Sequence, residues 1–263
     1  MKVNYDVLRV EDRPNDVLLA TLDRPEVANA FNTQAALDLC DVFRRLEDEQ
    51  RYRCVVLTGA GDRAFCAGAD LKERNSLSED EWRSQHEIFE RMFGLVRDCP
   101  LPVLAAVNGA AYAGGLELVL LCDFAYASRS AKFALTEVSL GIMPGGGGTQ
   151  TLARAAGERR AKELILTACP FSAEEALAWG VVNKLCEAGK VLDETLGAAD
   201  RIASLAPLSV RQAKRAIRDG LHMDLASAMR VEIEAYNRLV GTEDRSEGLR
   251  AFNEKRKPKF KGR

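Results

Sequence analysis

The segment 113-AGGLELVLLCDF-124 places a carboxylate in the middle of a helix that is otherwise apolar. The neighbours of Glu117 from Leu116 to Cys122 are all hydrophobic, so no polar face keeps this carboxylate in water. Burial of an uncompensated carboxylate costs several kcal/mol. Gly114 and Gly115 open the predicted helix, where backbone N–H groups are unpaired and a ligand can approach closely. The segment therefore predicts either a site where amide donors and a carboxylate meet a ligand, or a satisfied core carboxylate.

The segments around this helix alternate between strands and helices. Strands are predicted at 17–22, 54–59, 102–109, 123–128 and 131–135, and helices at 33–49 and from Ser78 to about Asp98. Ser78 with Glu81 and Ser172 with Glu175 have the spacing of helix capping boxes. After about residue 195 the pattern is that of amphipathic helices only. This order predicts an α/β core over residues 1–195 and a helical oligomerisation segment over 196–263.

Composition excludes several classes of protein. The 263 residues are 47% hydrophobic with a formal net charge of −2, so no basic surface indicates nucleic-acid binding. The N-terminal segment lacks the apolar core of a signal peptide, and no apolar run reaches the roughly 18 to 20 residues of a membrane span. The seven cysteines form no CxxC pair, which favours reduced thiols and a cytoplasmic location. His86 and His222 are the two histidines, too few for a histidine-rich metal site.

Three further segments contain candidate functional groups. Glu137 in 133-FALTEVSLG-141 is a second carboxylate in an apolar setting, and the alternative is a glutamate in the first turn of a short helix. Two like charges placed together would raise one pKa. The loop 65-FCAGADLKE-73 predicts an exposed amide donor, and its Cys66 has no histidine placed to activate it. The loop 144-PGGGGTQ-150 lacks the lysine of a phosphate-binding loop, so we interpret it as mainly conformational.

These segments together resemble the enoyl-CoA hydratase/isomerase (crotonase) family over nearly the whole chain. The resemblance rests on DRPEVANAFN (23–32), VVLTGAGDRAFCAGADLKE (55–73), AAVNGAAYAGGLELVLLCDFAYAS (105–128), AKFALTEVSLGIMPGGGGTQTLAR (131–154) and DRSEGLRAFNEKRKPKFKGR (244–263). It implies a crotonase-like spiral of ββα units whose C-terminal helices form trimers, commonly paired into hexamers. It also implies chemistry in which the enolate of an acyl-CoA thioester is stabilised.

The resemblance implies a role for four residues of the candidate site. Ala67 and Gly114 match the residues whose amides form the family's oxyanion hole, and Glu117 and Glu137 match the two catalytic glutamates of the hydratases. Isomerases of the family generally lack the first glutamate, so its presence favours hydration. Glu117 is then the base toward water and Glu137 the proton donor to C2. No metal or cofactor is implied, since coenzyme A is part of the substrate.

The same resemblance implies how the CoA is held, and it identifies one departure. Contacts to CoA or substrate are expected from two segments, at Arg24, Ala28, Ala30, Ala67, Gly68, Ala69, Asp70 and Lys72. Lys72 and Arg24 are expected near the entrance, where cations would meet the CoA phosphates. The family often has three glycines where this chain has Ala113, Gly114 and Gly115, and we expect a subtle effect at most.

Related activities are compatible with the same motifs. The GADLKER segment, the glycine-rich loop and the C-terminal motif also look like methylglutaconyl-CoA hydratases, whose branched substrate has a free carboxylate that Arg74 could meet. A carnitinyl-CoA dehydratase and an enoyl-CoA isomerase are weaker alternatives. RNA binding, known for a member of the methylglutaconyl group, is disfavoured because the corresponding first helix is acidic. Its charged residues are Asp38, Asp41, Arg44, Arg45, Glu47, Asp48 and Glu49.

Overall fold

Two β-sheets form the centre of the fold in the computed structural model, which describes residues 5–263. Strand and helix positions agree with the sequence prediction in most places, and the predicted ends differ by one or two residues. The strands of the described residues are β1 Leu8–Arg13, β2 Val17–Leu22, β3 Cys54–Gly59, β4 Ala64–Cys66, β5 Val103–Val107, β6 Ala110–Tyr112, β7 Phe124–Ser128, β8 Lys132–Ala134, β9 Phe171–Ser172 and β10 Lys184–Cys186.

Helices cover both faces of the larger sheet and make up most of the C-terminal region. Both predicted capping boxes are present, at Ser78 with Glu81 and at Ser172 with Glu175. The α-helices of the described residues are α1 Thr33–Asp48, α2 Leu71–Asn75, α3 Glu79–Asp98, α4 Gly114–Leu121, α5 Gly148–Ala156, α6 Glu158–Thr167, α7 Ala173–Ala178, α8 Val191–Ala203, α9 Pro207–Gly220, α10 Leu225–Asn237 and α11 Glu243–Asn253.

Successive strand pairs divide between the two sheets. The larger sheet has the order β1-β2-β3-β5-β7-β10, and the smaller has the order β4-β6-β8-β9. All neighbours in the larger sheet are parallel except β1, which pairs antiparallel with β2. Three times the chain places one strand in the larger sheet and the next in the smaller: β3 then β4, β5 then β6, and β7 then β8. This repeat confirms the predicted α/β spiral, with its helical C-terminal region.

The core lies on both faces of the larger sheet because its central strands are apolar throughout. In β3, Val55 and Leu57 face one hydrophobic cluster, whereas Cys54 and Val56 face the other. The second cluster is closed by α8, which contributes Ala199 and other small residues. Continuous burial of this kind is expected for parallel strands covered by helices. It explains why short apolar runs without polar alternation form strands here.

Some parts of the secondary structure differ from the prediction. The sequence did not predict strand β1, and strand β4 overlaps the start of the segment 65–73 that was predicted as a loop. The boundary predicted at residue 195 falls within α8, which packs on the larger sheet. The helices with exposed apolar faces therefore begin at α9, and the division into two parts stays a prediction. Within residues 5–263, no helix is long and apolar enough to cross a membrane.

Candidate active site

A cavity of about 470 Å³ lies where α3, α4 and the segment after β8 meet. Both predicted glutamates, Glu117 and Glu137, line it, and so do Ala67, Ala69 and Gly114. The two carboxylates come from different ββα units, which the spiral brings to the same wall. The structure therefore brings together the predicted carboxylates and the predicted amide segments in one site.

Glu117 is buried at the start of α4 because that helix approaches β4 very closely. A Cβ added to Gly115 would lie 2.1 Å from the carbonyl oxygen of Cys66, so only glycine fits this approach. The side chain of Glu117 is 3% exposed, and its Oε1 accepts hydrogen bonds from the N–H groups of Gly146 and Gly148, each 2.8 Å long. No other residue of the described chain donates a hydrogen bond to this side chain, so Oε2 is left for a ligand.

The two amide donors correct the interpretation of the glycine-rich loop as mainly conformational. Gly146 lies in that loop and Gly148 is the first residue of α5, where N–H groups have no partner within the helix. Burial raises the pKa of Glu117, and the two amide hydrogen bonds lower it by less. The amino-acid sequence does not indicate these residues, because a backbone donor has no side-chain signal.

Glu137 is the first residue of a short 3₁₀-helix, Glu137–Leu140, and it also lines the cavity. Both interpretations of this residue are therefore compatible with its position. Its Oε2 atom is buried and has no hydrogen-bond partner in residues 5–263. Burial raises the pKa of this carboxyl to about 7, and the charge of Glu117 contributes less. The predicted repulsion between the two carboxylates is therefore present, but the loss of hydration raises the pKa more.

The backbone N–H that is free in the 65–73 loop is that of Ala69 and not that of the predicted Ala67. The N–H of Ala67 donates a 3.0 Å hydrogen bond to the carbonyl oxygen of Ala28, so it is already engaged. The N–H groups of Ala69 and Gly114 make no hydrogen bond within the described chain, and both residues line the cavity. A Cβ added to Gly68 would lie 3.1 Å from the nitrogen of Gly114, so the two segments are in close contact. The free pair of donors is therefore Ala69 and Gly114.

The remaining predicted contacts lie beside the cavity rather than in its wall. Arg24 donates hydrogen bonds from Nη1 to the carbonyl oxygen of Ala30 at 2.7 Å and from Nη2 to Asp70 at 2.9 Å. Asp70 also caps α2 by accepting from the backbone N–H of Lys72. Arg24 and Asp70 thus join the turn around Ala28 to the 65–73 loop, whereas the side chain of Lys72 is exposed.

The cysteine thiols are not suited to catalysis. All seven cysteines are free, and burial raises the pKa of the Cys66 thiol to about 12, which disfavours a nucleophilic role.

The backbone at the start of α4 is strained. Ala113 has φ +48° and ψ −127°, a conformation that favours glycine. Ala113 therefore places backbone strain directly before Gly114.

Comparison with known proteins agrees with this geometry. The family model for enoyl-CoA hydratase/isomerase matches residues 12–263. A crotonyl-CoA hydratase of Syntrophomonas wolfei is 40% identical over 91% of this chain and 92% of its own. A short-chain-enoyl-CoA hydratase of Clostridium acetobutylicum is 38% identical over 98% of this chain and 97% of its own. The crystal structure of an enoyl-CoA hydratase from Bacillus anthracis superposes with a TM-score of 0.96 at 41% identity, covering 98% of this chain and 100% of that one. The chain therefore belongs to the enoyl-CoA hydratase/isomerase family.

Proposed function

We propose that this enoyl-CoA hydratase adds water across the 2,3-double bond of a 2-enoyl-CoA thioester with Glu117 and Glu137 as its catalytic residues. The observation that carries the proposal is the presence of two buried carboxylates with raised pKa values in one cavity beside two free backbone N–H groups. Carboxyl groups with pKa values near neutrality are suited to general acid–base catalysis. An isomerase would need only one glutamate, so the pair favours hydration.

The thioester oxygen is proposed to accept hydrogen bonds from the amides of Ala69 and Gly114, rather than from the predicted Ala67 and Gly114. Support comes from the hydrogen bond that already occupies the N–H of Ala67. Two fixed donors stabilise the negative charge that develops on this oxygen when the nucleophile adds to C3. Replacement of Ala69 by lactic acid, which exchanges the amide N–H for an ester oxygen, should lower hydration about 10² to 10³-fold. The same replacement at Ala67 should affect stability more than turnover.

The two glutamates are proposed to share one water molecule in different roles. Glu117, whose Oε1 is held by Gly146 and Gly148, directs Oε2 toward the water and takes one of its protons as the oxygen bonds to C3. Glu137, with its pKa near 7, delivers a proton to C2, and after the step Glu117 releases its proton to solvent while Glu137 takes one up, so that both groups return to their starting states. The overall step adds one hydrogen to C2 and one hydroxyl group to C3, and it is reversible. We expect no metal or cofactor beyond the CoA of the substrate.

An assay of the purified protein against a panel of enoyl-CoA thioesters tests this function. Hydration of crotonyl-CoA and longer 2-enoyl-CoAs, followed by the loss of absorbance of the conjugated double bond, is the expected result. Double-bond migration from a 3-enoyl-CoA without hydration would favour an isomerase instead. We also propose a cytoplasmic location, which the seven free cysteines support.

Self-association through the C-terminal helices is the partner interaction that we propose beside the acyl-CoA. Helices α9 and α10 leave an apolar groove, and several large side chains on them are solvent-exposed in the single chain. A continuous exposed apolar surface is typical of a protein–protein interface. A homotrimer or hexamer in light scattering is expected, whereas a stable monomer at micromolar concentration would contradict it. The exposed side chains on the two helices are Ile217, Leu225, Met229, Ile233 and Tyr236, and Leu221 directly after α9 is exposed as well.

A further inference from the structure

One phenylalanine side chain packs against two glycines of the catalytic cavity. Phe93 lies in α3, is 7% exposed and lines the cavity together with Gly114 and Gly146. A Cβ added to Gly146 would lie 2.4 Å from Cε2 of the Phe93 ring, and a Cβ added to Gly114 would lie 3.4 Å from its Cζ. The same ring is therefore in contact with the glycine-rich loop and with the start of α4.

Each of these glycines provides a backbone N–H group of the candidate site. The N–H of Gly146 donates a 2.8 Å hydrogen bond to Oε1 of Glu117. The N–H of Gly114 makes no hydrogen bond within the described chain and is the donor proposed for the thioester oxygen. A displacement of the Phe93 ring would therefore change the position of both N–H groups.

The ring, rather than the backbone conformation, requires a glycine at position 146. Gly141 and Gly147 have positive φ angles, which favour glycine, but Gly146 does not. A carbon atom 2.4 Å from the ring would lie well inside the distance of favourable van der Waals contact, which is about 3.5 to 4.0 Å. Gly146 and Phe93 are thus matched to each other by packing.

Aromatic neighbours hold the Phe93 ring in place. Phe31 and Phe93 form an edge-to-face pair with ring centroids 6.0 Å apart, and Phe31 forms a second such pair with Phe89 at 4.9 Å. Aromatic pairs prefer this arrangement. Phe31 is also in contact with Gly114, since an added Cβ would lie 2.6 Å from its Cζ. Because such an interior is closely packed, the cluster fixes Phe93 relative to both glycines.

We propose that Phe93 is a positioning residue for the hydration reaction, which holds the N–H of Gly146 on Glu117 and the N–H of Gly114 in place for the thioester oxygen. This inference rests on the proposed hydratase function. Phe93 acts through these two N–H groups and transfers no proton, since its ring has no titratable group. Catalytic groups must be held within about 0.5 Å of their productive positions, so loss of the ring contact should reduce turnover.

The pH dependence of hydration measures this role. The hydrogen bond from Gly146 lowers the pKa of Glu117, because it stabilises the carboxylate. Phe93→Leu should weaken this bond and so raise the pH below which kcat/KM for crotonyl-CoA falls, by about half a pH unit or more. We also expect kcat to fall about tenfold, with KM changed little. The other titratable side chains of the cavity wall are unchanged in this variant; they are Arg74, His86 and Glu137.

Gly146→Ala tests the same contact from its other side. The added Cβ cannot coexist with the Phe93 ring, so this variant should show the same upward shift in the pH profile. Leucine at position 93 is smaller than phenylalanine and gives the Cβ room. The double variant Phe93→Leu/Gly146→Ala should therefore lose less activity than the product of the two single losses. Misfolding of one single variant leaves the other as the test.

A buried phenylalanine outside the cavity provides the matched control. Phe43 of α1 is 2% exposed and does not line the cavity, so Phe43→Leu should lower Tm without changing kcat or the pH profile. An unshifted pH profile in Phe93→Leu and Gly146→Ala would overturn the inference, as would independent losses in the double variant. Failure of the wild type to hydrate any enoyl-CoA would instead overturn the hydratase function itself.

Discussion

The N–H of Gly148 donates a 2.8 Å hydrogen bond to Oε1 of Glu117 and so joins the start of α5 to the start of α4. Together with the bond from Gly146, it fixes one carboxylate oxygen in the protein and leaves the other for the reaction. The N-terminal amides of a helix are suited to this role, because they stabilise negative charge without a cation. In the proposed mechanism, the glycine-rich loop therefore holds one of the two catalytic carboxylates in place.

Gly148→Ala is expected to displace Glu117 and lower kcat. The added Cβ would lie 3.0 Å from Oε1 of Glu117 and 2.9 Å from Cδ1 of Leu135, so the carboxylate must move. A shift of this kind away from the productive geometry should reduce kcat about tenfold or more. Steady-state kinetics with crotonyl-CoA measures the effect. Gly197→Ala is the matched control, since its added Cβ meets nothing within 4 Å. Equal kcat for Gly148→Ala and wild type would contradict the role of this hydrogen bond.

Glu137 should make the stability of the protein fall as pH rises. Its carboxyl keeps its proton up to a pKa of about 7 in the folded protein, whereas the pKa of an unperturbed glutamate is 4.5. The stabilising contribution is therefore present below about pH 4.5 and is lost as pH rises through about 7, on the order of 3 kcal/mol in total. Glu137→Gln is neutral at every pH, so its advantage in Tm over wild type should grow from pH 4.5 to 7.5. A constant difference across this range would contradict the raised pKa.

Ala113→Gly should stabilise the protein. The positive φ of +48° at Ala113 strains a residue with a Cβ, whereas glycine adopts it freely. Relief of this strain outweighs the larger conformational entropy that glycine gives the unfolded chain, for a net gain of about 1 kcal/mol. Urea unfolding measures it. Ala113→Ser keeps a Cβ and should show no gain, and a loss of stability in the glycine variant would show that the conformation is not strained.

The two cations predicted at the entrance should behave differently when they are removed. Lys72 is exposed, so Lys72→Ala should raise KM for crotonyl-CoA severalfold at low salt with little change in kcat. Arg24 is held between Ala30 and Asp70, so Arg24→Ala should also lower kcat and Tm by loosening the loop that contains Ala69. Kinetics at low and high salt, with thermal unfolding, distinguish the two effects. Identical behaviour of both variants would contradict the structural role of Arg24.

The sequence predicted the candidate site correctly where a charged residue lies within an apolar segment. Glu117 within an apolar helix and Glu137 in an apolar segment were predicted as a pair, and both line one cavity. The repeat of buried strands and helices was also predicted, because continuous apolar runs are typical of parallel sheets covered on both faces.

The sequence did not predict the backbone N–H groups of the candidate site, because their partners are distant in the chain. The N–H groups of Gly146 and Gly148 reach Glu117 across 29 and 31 positions of the chain, and nothing in a glycine's side chain marks such a contact. The choice between Ala67 and Ala69 depends on one hydrogen bond to Ala28, which lies in a different turn. Neither relationship has a local pattern from which it could be predicted.

Conservative variants of Glu117 and Glu137 test whether both side chains transfer protons in the hydration step. Glu117→Gln and Glu137→Gln keep the shape of each side chain but remove its acid–base function. We expect each to lower kcat for crotonyl-CoA hydration at least about a hundredfold, with KM changed by less, because proton transfer contributes about 10² to 10⁴ in rate. Turnover within a few-fold of wild type by either variant would contradict the account.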